Sequence, residues 1–230
     1  GFEMSVGRPE VVQRIVDGKI EEPFEAVVVD CEEQHQGSVM EALGVRKGDL
    51  KNMVPDGKGR VRLDYIIPAR GLIGFRSEFL TMTSGTGIIT SIFDHYGQVK
   101  VGEVQSRTNG VLISNVKGKT LAYALFNLQG RGRLMTDANM EVYEGQVVGI
   151  HSRGNDLTVN PTKAKQLTNV RASGTDEATV LSPPIRYTLE QALEFIEDDE
   201  LVEVTPISIR VRKKFLLEHE RKRAARPAKA

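Results

Sequence analysis

Residues 24–31 read FEAVVVDC, a nearly continuous apolar run that is typical of a central buried strand. Residues 34–43 follow with apolar side chains at helical spacing, and residues 49–54 form a weaker extended segment. Residues 60–67 (RVRLDYII) alternate apolar and polar side chains, which predicts a strand with one buried face. The first part of the pattern is therefore strand, helix, strand, strand.

A second helix and a last strand complete this pattern. Residues 72–84 predict one amphipathic helix and residues 87–96 a strand; the helix carries its apolar side chains on one stripe, formed by Leu72, Phe75, Phe79 and Met82. The order strand–helix–strand–strand–helix–strand is the split βαβ, or ferredoxin-like, plan. In that plan two helices cover one face of the sheet, and we expect the other face to be open to a partner.

The rest of the chain predicts a mixed, β-rich domain. A domain junction near Gly102 separates a ferredoxin-like domain at residues 21–104 from this second domain at residues 105–230, and the fold class is α+β. Thr188 and Gln191 have the spacing of a capping box at the start of a helix. The predicted helices are 120–129, 188–196 and 212–225, and the predicted strands are 110–116, 133–136, 140–143, 146–152, 201–205 and 207–211.

A long polar loop, residues 160–178 (NPTKAKQLTNVRASGTDEA), interrupts this second domain. Lys163, Lys165 and Arg171 bring positive charge, and no acid appears before Asp176. Loops of this length in a compact domain are usually functional or disordered. The composition suits contacts with RNA phosphates and sugars, and equally a solvated surface loop without such a role.

The overall composition is that of a globular protein that can bury a core. Of the 230 residues, 40% are hydrophobic and 27% charged, and the formal net charge is zero, so no global basic field points to a nucleic-acid partner. Acids dominate residues 190–203 and bases dominate from residue 210 onward. The single cysteine, Cys31, excludes an internal disulfide, fits a reducing cytosol and is expected to be a buried apolar residue. No segment is long and apolar enough to predict a membrane span.

Catalytic and metal-binding motifs are missing from the sequence. There is no GxxxxGK[ST] loop, no metal-ligand spacing around any of the four histidines and no nucleophile elbow. We therefore expect no catalytic residue, no metal and no cofactor in this chain, unless titratable groups cluster around His95 or His151. Arg70 and Arg76 flank residues 71–74 (GLIG), a predicted helix entry whose N–H groups could meet a phosphate.

Four long motifs resemble the carboxyl-terminal half of the BipA/TypA family, ribosome-associated translational GTPases related to elongation factor G. They are residues 67–88 (IPARGLIGFRSEFLTMTSGTGI), 127–160 (NLQGRGRLMTDANMEVYEGQVVGIHSRGNDLTVN), 167–178 (LTNVRASGTDEA) and 183–206 (PPIRYTLEQALEFIEDDELVEVTP). The resemblance implies that residues 1–20 end the family's third domain, that residues 21–104 correspond to domain V of elongation factor G, and that residues 105–230 are the family's own C-terminal domain.

The same resemblance implies a role in ribosome function, ribosome assembly and stress adaptation. The expected partners are large-subunit rRNA and an A-site tRNA, the expected location is the cytoplasm, and the chain is expected to be a monomer. GTP and magnesium would belong to a GTPase domain that this chain lacks. The expected RNA-binding residues are Arg153, Lys163, Lys165, Gln166, Asn169, Arg171, Ser173 and Thr175 in the second domain and Arg70, Arg76 and Ser77 in the first.

Two other classes of function remain open on the sequence. A ferredoxin-like regulatory module could bind a small ligand or a protein on its open sheet face, and would do so without sensitivity to salt. An enzyme would need the cluster of titratable groups around His95 or His151.

Overall fold

A computed structural model describes residues 2–102, 107–165 and 180–225. The chain divides into two compact units. The N-terminal unit comprises Pro9–Ser106, and the C-terminal unit comprises Gly1–Arg8 together with Arg107–Ala230. Both units mix helices with strands, so the predicted α+β class is confirmed.

The N-terminal unit is built on an antiparallel sheet with the strand order β4-β5-β3-β6, where β3 is the long central strand. This is the order of a ferredoxin-like sheet, which confirms the predicted plan. A short strand, β2, joins β3 through the tight turn Asp17-Gly18, in which both residues have positive φ. The strands are β2 (Arg14–Val16), β3 (Lys19–Glu32), β4 (Asp49–Pro55), β5 (Arg60–Pro68) and β6 (Ile88–Gln98).

Helices cover one face of this sheet and leave the other exposed. A 3-10 turn (Glu33–His35) leads into α1 (Gln36–Val45), and the apolar side chains of α1 pack on the sheet. Cys31 is fully buried in this core, as predicted, and its burial raises the pKa of the thiol. Alternation along β3 and β6 puts Ile88 and Ile92 on the opposite face, where they are 61% and 70% exposed.

The predicted helix at residues 72–84 is wrong in its bounds. The structure has a short helix, α2 (Ala69–Leu72), and a separate helix, α3 (Phe75–Met82). Gly74 lies between them with φ of 73°, a left-handed conformation that interrupts a right-handed helix and favours glycine. The apolar stripe itself is confirmed, because Phe75 and Phe79 are fully buried.

Within the described ranges, the C-terminal unit contains three small sheets and three helices. Its four-stranded sheet has the order β12-β7-β11-β9, in which β12 runs parallel to β7. The short strands β12 and β8 were not predicted, and the capping box of Thr188 and Gln191 at the start of α5 is confirmed. The elements are β7 (Val111–Ser114), β8 (Gly118–Lys119), α4 (Ala122–Gln129), β9 (Gly132–Leu134), β10 (Glu141–Val142), β11 (Val147–His151), β12 (Leu157–Val159), α5 (Leu189–Phe195), β13 (Glu200–Val204), β14 (Ile209–Lys213) and α6 (Glu218–Ala224).

The first twenty residues are shared between the two units. Strand β1 (Met4–Val6) pairs with β13 of the C-terminal unit, whereas β2 belongs to the N-terminal sheet. The assignment of residues 1–20 to a preceding domain stays a prediction. Among the helices of the described ranges, none has the length and apolar character needed to cross a bilayer.

A buried ionic cluster stabilises the C-terminal unit. The guanidinium of Arg107 donates two hydrogen bonds to the carboxylate of Glu200, at 2.9 and 3.0 Å. Lys213 Nζ lies 3.0 Å from Glu200, 2.6 Å from Asp156 and 2.8 Å from Asp199. Asp156 also accepts a hydrogen bond from the backbone N–H of Val111, so the cluster links β7 and β14 to the start of β12.

The pKa values of Glu200 and Lys213 follow from this cluster. Burial alone would raise the pKa of Glu200, but the hydrogen bonds and charge of Arg107, with the charge of Lys213, hold it below its usual value. Burial alone would lower the pKa of Lys213, but Glu200, Asp156 and Asp199 raise it above its usual value. Each ion therefore stabilises the charged form of the other.

We expect acid to destabilise the C-terminal unit through Glu200. Because its folded-state pKa is lowered, the stabilisation is present above the unfolded value of about 4.3 and is lost as the pH falls through the lower folded value. Urea unfolding between neutral pH and about pH 3 measures this decline. The Glu200→Gln variant should be less stable at neutral pH and decline less steeply in acid, while Glu220→Gln at an exposed position should match the unsubstituted chain. Equal acid declines for both variants would contradict the assignment.

Candidate nucleic-acid interface

The first residues of the predicted loop, which the structure describes up to residue 165, are firmly attached. Strand β12 ends at Val159, whose carbonyl accepts a hydrogen bond from Asn115 N, and the carbonyl of Pro161 accepts one from Leu121 N. The side chain of Asn160 accepts from both the N–H and the hydroxyl of Thr162, at 2.9 Å each. The first residues of the loop are therefore fixed on β7 and the start of α4.

Three lysines surround this attachment point, and we refer to Lys117, Lys119 and Lys163 as the loop-base lysines. Gly118 lies against Thr162, since a Cβ on Gly118 would be 3.3 Å from Thr162 Cγ2. Lys117 and Lys119 flank that glycine, and Lys163 follows that threonine. All three are exposed and form no ion pair with any residue in the described ranges. Only Lys163 was predicted; the other two are brought to the loop by the pairing of β7 with β12, which no local sequence pattern shows.

Arg153 lies at a second basic position, a cleft of about 240 Å³. The cleft is lined by Gly130, Arg131, His151, Ser152, Arg153, Asn155 and Leu157. Arg131 and Arg153 are exposed, and neither forms an ion pair within the described part of the chain. None of these described lining residues is acidic and two are arginines, so this lining is positively charged.

The three residues predicted in the N-terminal unit differ in their surroundings. Arg70 donates to Glu22 Oε2 at 2.6 Å and to the carbonyls of Lys100 and Gly102. Because Glu22 is fully buried, this Arg70 contact neutralises a carboxylate inside the unit. Arg76 and Ser77 lie side by side at the exposed start of α3.

The remaining predicted residues are Lys165 and five residues of the predicted loop. Lys165 is exposed and is the last residue of its described range. Five others lie outside the described residues, namely Gln166, Asn169, Arg171, Ser173 and Thr175. The predicted role of all eleven residues in RNA binding stays a prediction.

The two histidines named as possible enzymatic centres sit in different environments. His95 stacks on Phe24, with ring centroids 5.1 Å apart, and its Nδ1 lies 2.5 Å from Asp94. His151 lines the basic cleft, where its Nδ1 contacts a backbone carbonyl rather than a carboxylate. Within the described ranges, no three His, Cys, Asp or Glu side chains are placed to bind a metal ion.

Two family models account for most of the chain. The TypA/BipA C-terminal domain matches residues 109–218, and the elongation factor G C-terminus matches residues 19–107. A protein of Escherichia coli K12 named large ribosomal subunit assembly factor BipA is 69% identical over 229 residues, which is 100% of this chain and 38% of that protein. The chain belongs to the BipA/TypA family. The observed ferredoxin-like N-terminal unit agrees with the elongation factor G match.

Other BipA proteins are also similar to this chain over nearly its whole length. The one of Haemophilus influenzae is 66% identical over 98% of this chain, and the one of Buchnera aphidicola is 57% identical over 100% of it. This chain spans 37–38% of the length of these BipA relatives. The predicted loop, its base and the basic cleft all lie in the part of the chain that follows the elongation factor G match, and residues 109–218 match the TypA/BipA C-terminal domain.

Proposed function

We propose that this chain is a ribosome- and tRNA-binding part of a BipA/TypA GTPase and is itself non-catalytic. The observation that carries the proposal is the group of loop-base lysines, three exposed cations without described ion pairs, fixed around the attachment of a long polar loop. Lysines that are not neutralised by the protein remain available to RNA phosphates, the usual source of affinity in such interfaces.

The proposal assigns a role to each part of the chain. Lys163, Lys165, Arg171 and Arg153 would neutralise phosphates of large-subunit rRNA and of an A-site tRNA, and Lys117 and Lys119 join them. Gln166, Asn169, Ser173 and Thr175 would bond with sugars and base edges. Arg76 and Ser77 would contact rRNA from the N-terminal unit, where Arg70 would help to fix the same surface. GTP and magnesium would bind a GTPase domain outside this chain, which the N-terminal unit would orient.

The relatives are named large ribosomal subunit assembly factors, which supports a ribosomal partner in the cytoplasm and a role in assembly. The chain is proposed to act there as a monomer. Adaptation to stress would follow from ribosome assembly under conditions in which assembly is slow.

Co-sedimentation with large ribosomal subunits across a salt series tests the proposal. We expect binding that weakens with salt, and a Lys117/Lys119/Lys163→Ala variant whose log–log salt slope is lower by about 2–3, since each lost phosphate contact contributes about 0.7–0.9. A Lys19/Lys51/Lys58→Ala variant removes the same charge from exposed positions of the N-terminal unit and should keep the slope. Binding that is strong but insensitive to salt and to the loop-base lysines would favour the regulatory module, with a partner on its open sheet face.

A further inference from the structure

The basic cleft has rigid walls. The carbonyl of Arg131 accepts hydrogen bonds from both the N–H and the hydroxyl of Ser152, at 2.9 Å each. Gly132 pairs with His151 so closely that a Cβ on the glycine would meet Ile150 O at 1.9 Å. Arg131 and Arg153 therefore project from two chain segments that are fixed to each other.

Among the described residues, no acid competes for the two arginines. Asp156 is adjacent in sequence to the cleft residue Asn155, but its carboxylate is bound to Lys213 and to the N–H of Val111. Arginines without acidic partners beside a cleft are suited to phosphate, because the guanidinium donates several hydrogen bonds in a fixed plane.

His151 supplies a polar group of a different kind. It is 6% exposed, and its Nδ1 lies 2.5 Å from the carbonyl oxygen of Asn155. A carbonyl oxygen can only accept, so Nδ1 donates to it and Nε2 is the ring nitrogen that can accept.

The acceptor nitrogen belongs to a residue that lines the cleft. Among the described residues, the only fully buried side-chain nitrogen or oxygen without a partner is Arg221 Nη2. Nε2 of His151 also has no partner in the described ranges and is not among the fully buried atoms, and His151 lines the cleft. The cleft thus combines two phosphate donors with one acceptor at its wall.

We propose that this cleft binds one ribose-phosphate unit of single-stranded RNA and distinguishes RNA from DNA. Arg131 and Arg153 bind the phosphate, and Nε2 of His151 accepts a hydrogen bond from the ribose 2′-hydroxyl, the group by which a protein recognises RNA. A volume of about 240 Å³ is below that of pockets for drug-sized ligands and suits a sugar with its phosphate. The inference rests on the proposed function, because both place RNA on the C-terminal unit.

Fluorescence anisotropy of this chain with a single-stranded RNA, and with its DNA and 2′-O-methyl counterparts, tests the inference. We expect RNA to bind about 3- to 10-fold more tightly than either counterpart, the effect of one hydrogen bond. His151→Asn keeps a donor near the position of Nδ1 but has no acceptor at the position of Nε2, which the shorter side chain does not reach. It should abolish this preference by weakening RNA binding alone.

Arg131→Ala/Arg153→Ala should weaken binding of RNA and DNA alike and lower the salt slope by about 1.4. Lys51→Ala/Lys58→Ala carries the same charge change and should lower neither the affinity for RNA and DNA nor the salt slope. Equal affinity of the unsubstituted chain for RNA and DNA, no RNA binding at all, or a preference that survives His151→Asn would overturn the inference. Full displacement of the RNA by adenosine 5′-monophosphate would also overturn it, because the cleft would then be a mononucleotide site.

Failure of the cleft inference and failure of the proposed function give different results. If the His151 and arginine variants behave like the unsubstituted chain while the loop-base variant loses large-subunit binding, the cleft inference fails and the proposed function stands. If the loop-base variant sediments normally and His151→Asn loses its RNA preference, the loop base is not the ribosomal contact and the cleft remains an RNA site.

Discussion

Replacing Lys213 with methionine should destabilise the C-terminal unit by about 3–5 kcal/mol, the range for removing one partner of a buried ion pair. Methionine keeps most of the length and apolar volume of the lysine side chain, so the loss reflects charge rather than packing. Because the protein has two units and need not unfold in one step, the measurement is hydrogen exchange at increasing urea, followed in peptides from β7, β13 and β14.

The physical reason lies in the carboxylates that Lys213 leaves behind. The Lys213 side chain is 2% exposed and that of Glu200 is fully buried, so this pair is desolvated. The side chains of Asp156 and Asp199 are 36% and 60% exposed, and water compensates more of their charge. Glu200 would retain Arg107 but face two unneutralised acids, and Asp156, which directly precedes β12, would lose its link to β14.

Lys214→Met is the matched control, since Lys214 is exposed and its side chain has no partner in the described ranges. That variant should lose less than about 0.5 kcal/mol. Adding Glu200→Gln to Lys213→Met should recover part of the lost stability, because the uncompensated carboxylate is removed as well. If Lys213→Met lowered the stability of the C-terminal unit by less than about 1 kcal/mol, water would have to solvate the cluster. That result would contradict the burial of Lys213 and Glu200.

The sequence predicts the N-terminal unit well because its signals are local. Alternation in residues 60–67 and the apolar run of residues 24–31 each identify a strand without knowledge of its neighbours. The error at residues 72–84 has a local cause too, since the apolar stripe continues through Gly74 and only the backbone conformation of that glycine shows the break.

The C-terminal unit is harder to predict because its contacts join distant residues. The acidic residues before 204 and the basic residues after 209 appear in the sequence as a charge asymmetry, and the structure pairs part of them across one hairpin. Glu200 lies opposite Lys213 and Glu203 opposite Arg210 in β13 and β14. Likewise, the parallel pairing of β12 with β7 brings Lys117 and Lys119 to the loop, although more than forty residues separate Lys119 from Lys163.

Arg46 is a buried cation of the N-terminal unit, as Lys213 is of the C-terminal unit. We expect Arg46→Met to destabilise the N-terminal unit by about 2–4 kcal/mol. Its side chain is 8% exposed and donates to the carbonyls of Gly71 and Ile73, at 2.8 and 3.0 Å, and to Glu78 at 2.7 Å. Since Glu78 is 46% exposed, that ion pair contributes little, and the main loss comes from two carbonyls left without a donor.

One carbonyl lies in α2 and the other just after it, so the variant should also raise hydrogen exchange in the segment of residues 69–82. Arg76 and Ser77 lie in this segment, and their position depends on it. Arg46→Lys keeps the charge but cannot reach three acceptors with one rigid group, so it should lose an intermediate amount of stability. Lys51→Met, at an exposed position, should change neither the stability of the N-terminal unit nor hydrogen exchange in residues 69–82. If Arg46→Lys matched the unsubstituted chain, charge alone would hold the segment, and the guanidinium geometry would have no role in placing the proposed rRNA contacts.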